Sequence, residues 1–282
     1  MFLSEAKWSP GGSWIGVETP VGLTIVEAAS GRKVQKHDGV LEFAWQSDTQ
    51  VVYCARHTAS GTKNRLIICS ENVKAGQTKV VHAFPERSGK DTYSFSSWSP
   101  SGRFVILMEP DPGGRYQCVD VLDGTIRSFG QTDACHLGVS WTPDSTRAFC
   151  VSRKVGPDDL YEAVVFEAST GRTVDCTGGF LQAFKGCYPS IEPRWTSDGE
   201  YVLVNSLDGG GSLVRPEPWE VIPLGRLIAP RFSNLDVPKV KPWIFLLPVP
   251  GWVGVWPTGN EGDSPVKYAA DYSGQRLVPL LE

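Results

Sequence analysis

Apolar residues come along this chain in short runs separated by Gly, Pro, Ser and Asp, and the runs fall into pairs. The first run of each pair covers 14–17, 51–55, 104–107, 148–151 and 201–204. The second covers 23–26, 66–69, 116–121 and 161–166. They are rich in Val, Ile, Phe, Tyr and Trp and mostly too short and too β-branched for helices, so each predicts a strand. Gly turns follow at Ala29-Ser30-Gly31, Asp123-Gly124 and Ser169-Thr170-Gly171, and a closing strand such as 172–174 ends the unit. No sustained helical period runs through the chain, and the pattern predicts an all-β fold.

A repeated phrase introduces the first run of each unit. It reads Trp8-Ser9-Pro10-Gly11-Gly12, Trp98-Ser99-Pro100-Ser101-Gly102, Trp141-Thr142-Pro143-Asp144-Ser145 and Trp195-Thr196-Ser197-Asp198-Gly199. Trp45-Gln46-Ser47-Asp48-Thr49 and Phe232-Ser233-Asn234-Leu235-Asp236 are weaker copies. Ser or Thr first, Pro second and Gly fourth is the chemistry of a type I turn. The anchors at 8, 45, 98, 141, 195 and 232 stand 37, 53, 43, 54 and 37 residues apart. Four short strands per unit of about forty-five residues is the arithmetic of a β-propeller blade. The expected fold is therefore a single six-bladed β-propeller of four-stranded antiparallel blades, approximately 1–39, 40–87, 92–133, 135–180, 190–225 and 227–282. The aromatic anchors are expected to pack between neighbouring blades, because each sheet must bury both faces. A seventh blade would have to hide in the long gaps, where 74–91 reads as a polar excursion and 175–189 carries Gly178-Gly179 and no anchor.

The Trp-Ser-Pro-x-Gly phrase, the strand after it and the Thr170-Gly171-Arg172 turn resemble the TolB-type, WD-repeat-like β-propeller family over nearly the whole chain. The resemblance implies the fold and leaves function open. Related blades occur in translocation-associated periplasmic proteins, in the propeller domains of prolyl-oligopeptidase-type peptidases and in cytosolic scaffolds. The Gly-x-Ser-x-Gly elbow of the peptidases has no match here, and no residues remain outside the blades for a hydrolase domain.

With 27 basic and 31 acidic residues the formal net charge is −4, which gives the protein no overall attraction to nucleic acid or anionic membrane. Seven cysteines at 54, 69, 118, 135, 150, 176 and 187 include no Cys-x-x-Cys, and several lie in apolar runs. They read as small buried hydrophobes in a reducing compartment, so the cytoplasm is expected, or the periplasm or exterior if a signal peptide has been removed. The apolar stretch 240–256 is broken by Pro242, Pro248 and Pro250 and predicts no membrane span.

Chemistry-bearing motifs are sparse. Gly262-Asp263-Ser264 sits in a polar loop, Ser88-Gly89-Lys90 lacks the rest of a phosphate loop, and the four histidines are scattered. Glu109-Pro110-Asp111, Asp158-Asp159 and Asp120 with Asp123 fall at turns without calcium-loop spacing, so neither a metal site nor a cofactor is expected. Superposing the repeats aligns Lys7, Ala44, Ser97, Ser140, Arg194 and Arg231 just before the anchors. Lys7, Arg194 and Arg231 would form a basic arc beside the axis of a closed ring, able to hold a carboxylate or phosphate unless each cation pairs with a carboxylate. Trp243, Trp252 and Trp256, in a Pro-rich strand pair, are a candidate partner surface as well as blade core.

These features favour a non-catalytic interaction propeller, a scaffold or subunit of a larger assembly with protein partners. Two alternatives stand beside it. One is a lyase, lactonase or cyclase with its site at the channel mouth, and the other is a small-anion binder using the basic arc.

Overall fold

The computed structural model describes residues 5–58, 63–88, 96–108, 114–132, 134–154, 161–184, 193–205, 211–224, 227, 241–258, 268–273 and 276–279. The chain divides into two compact units, one of Met1–Asp133 with Ala168–Gly171 and the other of Ala134–Glu167 with Arg172–Glu282.

The first unit carries three sheets. Sheet one is β1 (Ala6–Trp8), β2 (Trp14–Thr19), β3 (Gly22–Glu27) and β4 (Lys33–Asp38). Sheet two is β5 (Val40–Trp45), β6 (Gln50–Thr58), β7 (Lys63–Asn72) and β8 (Gln77–Ala83), with β9 (Arg87–Ser88) added on β7. Sheet three is β10 (Ser96–Trp98), β11 (Phe104–Met108), β12 (Gly114–Asp120) and β13 (Ile126–Thr132). The second unit carries the other three. Sheet four is β14 (Ala134–Trp141), β15 (Arg147–Lys154), β16 (Tyr161–Glu167) and β17 (Thr173–Asp175). Sheet five is β18 (Arg194–Trp195), β19 (Val202–Asn205), β20 (Gly211–Pro216) and β21 (Trp219–Ile222). Sheet six is β22 (Lys241–Leu246), β23 (Trp252–Thr258), β24 (Tyr268–Asp271) and β25 (Leu277–Pro279). Six four-stranded antiparallel sheets, each formed from consecutive strands, are the blades of a six-bladed β-propeller.

The repeated phrase builds one small device in four of the blades. In sheet one the Trp14 N–H donates to Ser9 Oγ (3.1 Å), the Ser9 N–H to the Trp14 carbonyl (2.9 Å) and the Gly12 N–H to the Ser9 carbonyl (2.9 Å). Ser99 does the same for Phe104 and Gly102, Thr142 for Arg147 and Ser145, and Thr196 for Tyr201 and Gly199. All four hydroxyl residues are buried, so the hydroxyl acceptor answers a backbone donor that water does not reach. The fourth turn residue has positive φ each time: Gly12 at 73°, Gly102 at 66°, Ser145 at 64° and Gly199 at 70°.

The cores lie between consecutive sheets within each unit. Leu23 and Ile25 of β3 pack on Phe43, Trp45, Val51 and Tyr53, while Ala44, Val52 and Cys54 turn the other way onto Trp98, Val105 and Leu107. Alternate residues of one strand thus serve two different cores. In the second unit Phe149 and Val151 meet Trp195 and Val202, and Leu203 and Leu213 meet Ile244 and Val253. Five described cysteines, at 54, 69, 118, 150 and 176, are free and buried, and burial pushes the Cys118 thiol up to about 12 and Cys176 up to about 11.

Two expectations need correction, those on the sixth anchor and on Trp8, and the two long gaps each contain a regular element. The sixth anchor is Leu246 and not Phe232: Leu246 pairs with Val253 as Trp8 pairs with Ile15, Trp98 with Val105 and Trp195 with Val202. Phe232 lies outside the described residues. The span 74–91 contains β8, which reads as polar because an outermost strand is solvated. The span 175–189 contains α1 (Thr177–Ala183), whose Phe180 fills the core beside Phe149 and Tyr161, while Trp219 lies where a Gly179 side chain would. Finally, Trp8 is 61% exposed, whereas Trp45, Trp98, Trp141 and Trp195 are between 5% and 8%.

Trp45, although its turn is a weaker copy of the phrase, is buried like the other inner anchors. Its indole N–H donates to the Lys7 carbonyl (3.0 Å), as that of Trp195 donates to the Ser140 carbonyl (2.9 Å). Trp45→Ala is therefore expected to destabilise the protein by about 3–5 kcal/mol, no less than Trp98→Ala. Chemical denaturation of the two variants checks this; a clearly milder loss at Trp45 contradicts it. A glycine pair tests the turns. Nothing lies within 4 Å of where a Gly12 side chain would stand, whereas at Gly102 it would meet Gln46 Cγ at 3.0 Å and the Trp45 carbonyl at 3.1 Å. Gly12→Ala should cost about 1–2 kcal/mol from backbone conformation alone. Gly102→Ala should cost more, readable as a larger drop in Tm.

Candidate functional site

Lys7 stands midway along β1 opposite Gly16 of β2. The Phe43 ring of the next blade occupies the space where a Gly16 side chain would be, and Lys7 Nζ lies 5.2 Å from that ring. Nζ donates to the Phe43 carbonyl (3.2 Å) and pairs with the Glu5 carboxylate (3.4 Å). Glu18 shares this environment; burial lifts its carboxyl above the ordinary value, Lys7 pulls the other way and Glu5 adds to the rise. Lys7 is thus a locally compensated cation within its own blade pair. Arg194 occupies the equivalent position on β18, opposite Leu203, and is exposed. Arg231 lies outside the described residues, and the β22 residue at the Lys7 and Arg194 position is Phe245, opposite Gly254. Lys7 and Arg194 thus hold repeat-equivalent positions on strands of separate compact units, and the structure describes them only as members of their own blades.

Of the candidate partner tryptophans, Trp243 and Trp256 are paired in register on β22 and β23, and Trp252, half-buried, opens β23 opposite Asp271. Glu109-Pro110-Asp111, Asp158-Asp159 and Gly262-Asp263-Ser264 lie outside the described residues. Asp120 is buried and held by Arg103, with Nη2 to Oδ2 at 2.8 Å, and it also accepts the Leu122 N–H (3.0 Å). Asp123 accepts the Thr125 N–H (2.8 Å), so this acidic pair is spent on the β12–β13 turn. Among the described residues no three His, Cys, Asp or Glu side chains gather as metal ligands. Nor is any described helix long and apolar enough to cross a membrane.

One buried polar group escaped the sequence reading because its members come from different repeats. His37 of β4 places Nε2 2.9 Å from Glu71 Oε2 of β7 and stacks on Tyr53 at 4.9 Å between ring centroids. The Glu71 side chain is 1% exposed. The ring nitrogen has no aligned hydrogen-bond partner, so this is a close electrostatic contact by distance and not a directed hydrogen bond. Burial raises the Glu71 carboxyl, but His37 beside it, helped by Thr78 and Tyr53, brings it below the ordinary value. Burial chiefly, then Cys69 and Glu71, raise the Tyr53 hydroxyl. This arrangement ties the outermost strand of blade one to blade two.

No protein-family profile matches the chain, and no curated protein matches it. Solved structures do. Dipeptidyl peptidase 4 from Porphyromonas gingivalis aligns with a TM-score of 0.62 at 12% identity, over 99% of this chain and 46% of that one. The tricorn protease aligns at 0.59 and 12%, over 95% of this chain and 29% of its own. An oligogalacturonate lyase in complex with manganese aligns at 0.60 and 13%, over 94% and 76% respectively. The chain thus spans less than half of the two peptidases, and at such identities the likeness is one of fold.

Glu71 contributes stability when ionised, because its folded value lies below the unfolded one. That contribution is present above pH of about 4.5 and is lost as pH falls through the folded value. Glu71→Gln should melt below wild type at neutral pH, and the two melting temperatures should converge under acid conditions. A constant gap across the titration would show that the Glu71 charge plays no part.

Proposed function

We propose that the chain is a non-catalytic protein-interaction propeller of the TolB-like repeat class, with Trp8 as one of its contact residues. The exposure of Trp8 carries this reading. Four described anchors of the same phrase bury their rings between sheets, and two of them spend the indole N–H on a carbonyl of the preceding blade. Trp8 has the same turn, with Ser9 buried beneath it, yet leaves most of its ring in water. An exposed Trp on a rigid strand end, costing little entropy to fix, is what binding hot spots are made of. The buried free thiols suit a reducing compartment such as the cytoplasm.

Trp8→Ala separates recognition from folding. Its Tm should stay close to wild type, as surface substitutions usually do, while Trp98→Ala melts well below both. Affinity purification from the native source with quantitative mass spectrometry should show a co-purifying protein that is lost with Trp8→Ala. Partner recovery unchanged in the variant, or a melting loss equal to that of Trp98→Ala, overturns the reading.

A further inference from the structure

β4 is the outermost strand of blade one. It pairs with β3 alone, and a bulge between Ile25 and Val26 interrupts that ladder. Four of its six residues are exposed, and only Gln35 and His37 are half-buried. Each of these two buries a polar atom without an aligned partner, Gln35 Oε1 and His37 Nε2. Seating the strand against blade two therefore costs desolvation that another interaction has to offset. A strand held along one side, with few buried side chains, belongs to the part of a fold that opens first.

The offset at hand is the contact between His37 and Glu71. Nε2 stands 2.9 Å from Glu71 Oε2, with the ring 22% exposed and the carboxylate 1%. Because the ring N–H is not aligned on that oxygen, the attraction rests on charge, and the ring is charged only while both nitrogens carry protons. Tyr53 reinforces this state, its hydroxyl lying 3.4 Å from both His37 Nδ1 and Glu71 Oε2. With a charged ring, Nδ1–H donates to the Tyr53 oxygen and the hydroxyl proton is left for the carboxylate. With a neutral ring protonated on Nε2, Nδ1 becomes an acceptor and competes for that proton. Deprotonation thus takes the counter-charge from Glu71 and contests one of its donors, leaving Thr78 of β8. A carboxylate so buried has no water to make up the loss. The other groups facing the pair supply no charge: Leu23 stands opposite His37 on β3, and burial pushes up the Cys69 thiol of β7. Lys36 and Asp38, on either side of His37, pair with each other at 2.8 Å.

We infer that His37 and Glu71 form a pH-operated latch, which seats β4 on blade two while both are ionised and frees the strand when either is neutralised. Its acid limb is the loss of the Glu71 charge, and its alkaline limb is the loss of a proton from His37. Release is confined to 33–38, because the next residue is pinned from both sides. The Gly39 N–H donates to the Val21 carbonyl, and the Gly39 carbonyl accepts the Arg56 N–H, each at 2.9 Å. The device is independent of Trp8, which lies on β1 at the opposite edge of the same sheet.

The test is hydrogen–deuterium exchange of the full chain followed by mass spectrometry, with rates corrected for the intrinsic effect of pH. Peptides spanning 33–38 should be best protected at an intermediate pH and lose about tenfold in protection on either side, while those of β12 stay constant. The alkaline loss should track deprotonation of the His37 ring, read from its nitrogen chemical shifts. It should also persist in about 0.5 M salt, since a buried pair is little screened. His37→Gln keeps a donor near Nε2 but does not titrate, so it should abolish the alkaline limb alone. Tyr53→Phe leaves both charges in place and should keep both limbs. Protection of 33–38 that is flat across the titration, or an alkaline loss that survives His37→Gln, overturns the inference. A loss that salt abolishes also overturns it, and assigns the effect to the exposed Lys36–Asp38 pair.

Discussion

The constraint on which this architecture rests is that a sheet buried on both faces must still turn its chain back at the end of every first strand. A hairpin there places backbone N–H groups where neighbouring sheets exclude water, and each needs an acceptor. The residue after the anchor supplies it. Ser9, Ser99, Thr142 and Thr196 fold their hydroxyls back onto the residue that opens the next strand, and the turn closes without solvent. Once closed in this way, the turns can touch. Gln46 Nε2 donates to the Gly102 carbonyl and Arg147 Nη2 to the Gly199 carbonyl, both at 3.0 Å, so the glycine of one blade's turn serves as acceptor for the blade before it.

Blades two and six depart from the phrase and show what can replace it. In blade two the hydroxyl moves one place on: Ser47 Oγ accepts the Gln50 N–H (3.1 Å), and the turn is a residue shorter, pairing Trp45 with Val51. Asp48, freed from the local turn, crosses to blade one and accepts Ser9 Oγ and Ser13 Oγ, each at 2.6 Å. The two hydroxyl bonds, Ser13 first, hold its carboxyl below the ordinary range. In blade six the stretch 247–251 contains Pro248 and Pro250. Those two residues have no N–H to satisfy, so that turn meets the same constraint by removing donors.

This explains how far the sequence could be read. The phrase was legible because its residues are demanded jointly by one turn, and with it came the blade count and the strand order. The anchor of blade six was assigned to Phe232 because Phe232-Ser233 imitates the anchor and hydroxyl, while Leu246, which holds the anchor's register, has neither the aromatic ring nor the hydroxyl after it. α1 was missed because Gly178-Gly179 argues against a helix, and only the seating of Phe180 among Phe149, Tyr161 and Phe184 supplies the compensating burial. The His37–Glu71 pair has no sequence signal at all, since its partners lie 34 residues apart in different blades and meet only through packing.

The same logic bears on function. Sheets that resemble this one serve two peptidases and a lyase at 12–13% identity, so the repeated residues answer to folding and carry no information about the task. Information about the task resides where a residue departs from what its repeat position requires. Trp8 keeps the phrase and yet leaves its ring exposed, and the hairpin of blade two runs past its inner strand partner. Both features lie in the same compact unit, on rigid strand ends, and neither is needed to close a turn or fill a core. On the interaction-propeller reading proposed above, a side chain that folding does not need, held in place by one that folding does, is preorganised for a partner.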